Sequence, residues 1–79
     1  MSKETFIQLK LFASLQKYTP PDSDNYAIEA GITVGALMES MSVPIDQIKL
    51  VFINGVSADL TTALVGGERV GIFPPVGGG

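Results

Sequence analysis

The sequence predicts an α+β fold: a mixed sheet of four to five strands covered on one face by one main helix. Three observations point there. Apolar and polar residues alternate near both ends of the chain, the period of a half-buried strand. Between those ends, one stretch carries apolar residues at helical spacing. With 79 residues, no Cys and no His, the chain must build a single economical core without disulfide or zinc staples.

Residues 5–12 read TFIQLKLF, with Ile7, Leu9 and Leu11 on one parity and Gln8 and Lys10 on the other. That is a strand with one buried side. Residues 13–24 collect Ser, Pro, Asp and Tyr around Pro20 and Pro21, and are read as a connecting loop. Residues 25–30 (NYAIEA) form a second, shorter strand, antiparallel to the first, with Tyr26 and Ile28 on one side. Thr33 then offers a hydroxyl to the first turn of a helix. Val34, Leu37, Met38 and Met41 give that helix one apolar stripe, and Pro44 ends it. The methionines are packing atoms on this reading. Gly35 weakens the helix by about 1 kcal/mol relative to alanine, so tertiary packing must hold it.

Residues 49–53 (KLVFI) are a third strand, and Asn54-Gly55 after it is the strongest hairpin signal in the chain. Val56 and Ala58 begin a short return strand. Residues 61–67 are an irregular or single-turn segment ending in a glycine turn; Gly66-Gly67 lacks the spacing of a phosphate loop. Residues 68–73 (ERVGIF) are a last strand, with Val70 and Ile72 toward the core. Strand, strand, helix, strand, short strand, strand is the order of the β-grasp, or ubiquitin-like, arrangement. Residues 1–76 are expected to form this single domain and residues 77–79 a flexible glycine tail.

The charge balance narrows the partners. Five Lys+Arg against eight Asp+Glu leave a net charge of −3 and no basic run, which argues against nucleic acid. No stretch is long enough to cross a bilayer, and no apolar block follows the N-terminal charges, so a cytoplasmic protein is expected. Catalysis by the chain itself is not expected. It has no histidine base and no thiolate, and Ser14, Ser40, Ser42 and Ser57 have no histidine partner. The acidic residues are spread out, so no metal site is expected.

What remains is the tail, Phe73-Pro74-Pro75-Val76-Gly77-Gly78-Gly79. Two prolines stiffen its exit and remove two backbone donors, so the strand ladder cannot continue. Residues 76–79 can reach about 13 Å, and glycines without a Cβ can thread a narrow channel. Such a tail delivers the Gly79 carboxylate to another protein's active site. Adenylation would turn that carboxylate into a mixed anhydride, and a sulfur nucleophile could displace AMP to leave a thiocarboxylate. The activating partner would use the ATP; no cofactor is expected on the chain itself.

The run Gly67-Glu68-Arg69-Val70-Gly71-Ile72-Phe73-Pro74-Pro75-Val76-Gly77-Gly78-Gly79 resembles the end of the MoaD/ThiS sulfur carriers. Within that family its Phe-Pro-Pro-Val-x-Gly-Gly pattern is most similar to the MoaD branch, the small subunits of molybdopterin synthase. Leu11-Phe12-Ala13, Thr33-Val34-x-x-Leu37 and Asn54-Gly55 extend the similarity more weakly. The resemblance implies that Gly79 is charged by an E1-like adenylyltransferase of the MoeB/ThiF type, with a sulfur donor protein, and inserted into a MoaE-like large subunit. Gly78 matches the first tail glycine of the family and Gly79 the acylated one, while Gly77 fills a variable position that more often carries a side chain. The ThiS branch usually lacks the double proline. A ThiS-type role in thiazole formation, another sulfur pathway, a ubiquitin-like protein modifier and a non-covalent adaptor stand as alternatives.

Docking is expected on the sheet face opposite the helix. The parity that turns Val70 and Ile72 inward turns Gly71 and Phe73 outward. Lys49, read as an outward marker, puts Val51 and Ile53 outside on the third strand. Phe73, Val51 and Ile53 are therefore the expected apolar patch beside the tail.

Overall fold

The structure, a computed structural model, describes residues 5–75. The expectations for the N-terminal residues 1–4 and for Val76, Gly77, Gly78 and Gly79 lie outside the described residues. Among the described residues, five strands and one α-helix run in the order β1 (Thr5–Leu11), β2 (Tyr26–Ile28), α1 (Val34–Ser40), β3 (Leu50–Ile53), β4 (Val56–Ala58) and β5 (Arg69–Phe73). The sheet order is β2-β1-β5-β3-β4. β1 and β5 are parallel in its centre, and the other pairings are antiparallel. This is the β-grasp arrangement: the first and last described strands lie side by side, and the helix crosses one face.

Local chemistry sets the boundaries. The Thr33 hydroxyl accepts a hydrogen bond from the Ala36 amide at 3.1 Å, capping the first turn of α1. Gly35 sits where the helix meets the backbone of Leu60, whose carbonyl accepts from the Gly35 amide at 2.8 Å. A Cβ there would stand 3.2 Å from that same oxygen, so close packing explains the glycine. Asn54 and Gly55 both have positive φ (55° and 81°), as a type I′ hairpin between β3 and β4 requires.

The core lies between the sheet and α1. Ile7, Leu9 and Leu11 of β1 and Val70 and Ile72 of β5 meet Val34, Leu37 and Met38 of the helix. Val43 and Leu64 belong to the same core. One member comes from the segment read as a plain loop. Residues 13–24 contain 3-10 turns at Ala13–Tyr18 and Ser23–Asn25, and Leu15 in the first of them is fully buried. The loop's polar composition hid a single core anchor.

Candidate functional site

The sheet face away from the helix is built from the alternate residues of the same strands. On β1 these are Gln8 and Lys10, both exposed, followed by the half-buried Phe12 just past the strand's end. On β5 they are the exposed Arg69 and the half-buried Gly71 and Phe73. The parallel register sets Gln8 beside Arg69 and Lys10 beside Gly71. On β3, Leu50 pairs with Phe73 and Phe52 with Gly71.

That pairing corrects the expected patch. Val51 is opposite Ile72 and buried at 3% exposure, and Ile53, opposite Val70, packs against the core. Both point inward, and Phe52 with Leu50 points outward. The reason is register. After Lys49 the run LVFI has no polar residue to mark a face, so antiparallel pairing with β5 decides it. Lys49 precedes the strand and is no guide to its parity, although its amide donates to the Phe73 carbonyl at 2.8 Å.

Phe73 is the hub of what the outer face holds. Its ring stacks on Phe12 with centroids 4.2 Å apart and planes within 4°. It also meets the ring of Phe52 edge-on, at 5.7 Å and 78°. The three rings, with Gly71 between them and Lys10 and Arg69 at the margin, line an open depression of about 440 Å³. Sequence reasoning missed Phe12 and Phe52. Continuing the outward parity of β1 from Gln8 through Lys10 would have reached Phe12; Phe52 has no such local signal.

The start of β5 is held firmly. The Glu68 carboxylate, buried at 9% exposure, accepts from the amides of Val65 (2.9 Å) and Gly66 (2.7 Å). A Cβ on Gly66 would collide with the Thr5 methyl, so this turn is closed to other residues. The Arg69 amide donates to the Asn54 side-chain oxygen at 3.0 Å, and its carbonyl accepts from the Asn54 amide at 2.8 Å. At the far end the Phe12 amide donates to the Ile72 carbonyl at 3.1 Å. Phe73 thus receives the last ladder bond before Pro74, half-buried, and Pro75, exposed, neither of which has an N–H to give. Pro74 and Pro75, the last described residues, thus follow Phe73 at the rim of the aromatic depression. The tail residues expected to work, Val76, Gly77, Gly78 and Gly79, follow them and lie outside the described residues.

Among the described residues no group of three His, Cys, Asp or Glu side chains could hold a metal ion. No described helix is long and apolar enough to cross a membrane.

Comparison with known proteins gives the following. The model of the ThiS family matches residues 9–79. No curated protein matches the sequence. Among solved structures, the HVO 2177 protein of Haloferax volcanii is similar at 25% identity and a TM-score of 0.74, over 96% of this chain and 88% of that one. Small archaeal modifier protein 1 of Haloferax volcanii is similar at 25% identity and a TM-score of 0.65, over 91% of this chain and 99% of that one. A Pyrococcus furiosus protein, provisionally described as subunit 1 of a molybdopterin converting factor, shares the fold. It has 24% identity and a TM-score of 0.62, over 91% of this chain and 99% of that one.

Proposed function

Because the chain belongs to the ThiS family, we propose that it is a sulfur carrier whose working group is the Gly79 carboxylate, serving molybdopterin biosynthesis. The observation that carries this is the extent of the family match. Residues 9–79 take in the end of β1, all of β5, the three rings of the outer face and the terminal glycines. The Phe73-Pro74-Pro75-Val76 exit, which resembles the MoaD branch, supports the molybdopterin assignment over thiazole formation. The reaction belongs to the cytoplasm, where ATP and reduced sulfur donors meet.

On this reading an E1-like adenylyltransferase binds the outer face and takes the tail into its own site. A Gly79 carboxylate oxygen attacks the α-phosphorus of ATP, pyrophosphate leaves, and an acyl-adenylate forms. A sulfur supplied by a donor protein then attacks the acyl carbon, and AMP leaves with its bonding electron pair. A thiol then attacks the inner sulfur of the donor's persulfide, forming a disulfide with it, and Gly79 is released as a thiocarboxylate whose sulfur is anionic near neutral pH and nucleophilic toward an electrophilic carbon. Inserted into a MoaE-like subunit, it gives up that sulfur, and water returns the carboxylate. The chain contributes position and reach; its partners contribute the catalytic groups.

The test is pyrophosphate exchange by the adenylyltransferase with the intact chain and with a chain lacking Gly79. The proposal expects exchange with the first and none with the second. Equal exchange would remove Gly79 from the reaction. The likeness to small archaeal modifier protein 1 favours a second reading, in which the activated Gly79 is ligated to a partner lysine. Intact mass after co-expression separates the two: one oxygen replaced by sulfur for the carrier, addition of another protein for the modifier.

A further inference from the structure

Gly71 is the one described glycine whose identity the fold itself does not explain. Gly31, Gly55, Gly66 and Gly67 all have positive φ. Gly35 meets the Leu60 carbonyl. Gly71 has neither constraint. A Cβ built on it would stand 3.5 Å from the Phe12 ring, 3.6 Å from the Phe73 ring and 4.0 Å from the Phe52 Cβ, all ordinary contacts. Glycine in a strand interior weakens the strand and often marks a place where another molecule comes close. Here the missing side chain leaves an open floor between three phenylalanines, one of which, Phe73, directly precedes Pro74 and Pro75.

The margin of that floor is cationic. Lys10 lies beside Gly71 across the parallel pair, and Arg69 stands two residues before it on the same face. Both are exposed, on a chain whose net charge is −3. A second copy of this chain would bring the same cations to a two-fold contact, where like charges oppose association. The complement of the surface is an apolar side chain with carboxylates beside it.

We propose that Gly71 is a specificity notch: it receives an apolar side chain of the adenylating partner, whose flanking carboxylates pair with Lys10 and Arg69. This rests on the carrier reading above and names how the partner is selected. Gly71 is a positioning residue and takes no part in the chemistry at Gly79.

The test is calorimetric titration of the full chain with its source organism's E1-like adenylyltransferase, without ATP so that binding is read apart from reaction, alongside thermal melts. Gly71→Ala should raise Tm, because it adds contacts and removes the glycine's strand cost. Gly71→Val should stay folded and weaken binding by about tenfold or more, the loss expected when a central anchor is displaced. Lys10→Glu with Arg69→Glu should weaken binding comparably and flatten its salt dependence. The double charge reversal lies on exposed positions, so it tests the idea even if Gly71→Val fails to fold. Unchanged binding by Gly71→Val or by the charge reversal would overturn the proposal. So would no binding by the wild-type chain, or self-association that Gly71→Val abolishes. A chain that binds through the notch and never gains sulfur defeats the carrier reading alone. A chain that gains sulfur while both variants bind normally defeats the notch alone.

Discussion

The two faces of the sheet come from alternate residues of the same strands, and they are built to opposite ends. On the inner face Leu9, Leu11, Val51, Val70 and Ile72 are all at or below 5% exposure, and the helix covers them. On the outer face the same strands present Lys10, Arg69, Gly71, Phe52 and Phe73, and Leu50 is 44% exposed. In β5 the contrast changes from one residue to the next. Val70 and Ile72 hold the fold, while Arg69, Gly71 and Phe73 furnish a surface that ends where the tail begins. The core and the proposed docking surface therefore fall on opposite faces, because period-two geometry turns successive residues to opposite sides of the sheet.

Mutations can break that comparison. The largest expected effect is on the inner face. Ile72→Ala removes a fully buried side chain between Leu11 and Val51 and should cost about 2–5 kcal/mol in urea unfolding, a large share of the stability of so small a domain. On the outer face, Phe52→Ala removes a half-buried ring and its edge-on contact with Phe73, for about 1–2 kcal/mol. Its larger signature should be weaker binding to the adenylating partner. If Phe52→Ala unfolds the chain as readily as Ile72→Ala does, the division between faces is wrong.

Much of the fold could be read from residues because the signals were local. Thr33 was legible as a cap, Asn54-Gly55 as a hairpin, and β1 and β5 as strands with a defined inner parity. Parity in β3 was not. Four apolar residues in succession carry no period, and the facing strand alone chooses between Val51 and Phe52 for the interior. The candidate site was legible in part for the same reason: Phe73 follows from β5 parity, whereas Phe52 depends on pairing 19 to 21 residues away in sequence, with Gly71 and its neighbours. Leu15 shows the converse case, a single apolar residue in a polar segment that tertiary packing draws into the core.

Two smaller effects belong to neither sheet face and sharpen the contrast as controls. Thr33→Ala removes the helix cap and should cost about 1 kcal/mol without changing partner binding. Asp59 accepts from the Thr61 hydroxyl at 2.6 Å and the Thr61 amide at 3.0 Å, with a longer contact from the Thr62 hydroxyl. These bonds, the Thr61 hydroxyl first, hold its pKa below the ordinary 3.8. A carboxyl more acidic when folded than when unfolded adds stability above its unfolded pKa and loses it as pH falls through the folded value. Melts taken below about pH 4 should therefore show a small acid-dependent loss in the wild-type chain that Asp59→Asn lacks. The effect should be the smallest of the four, because Asp59 is fully exposed.

The central claim concerns one atom at the end of the chain. The most direct measurement is the mass of the C-terminal peptide after co-expression with an E1-like adenylyltransferase and a sulfur donor. The account predicts that one oxygen of Gly79 is replaced by sulfur, and that the replacement disappears when the adenylyltransferase is inactivated. A peptide that keeps both oxygens, under conditions in which the same enzymes charge another carrier, would contradict it.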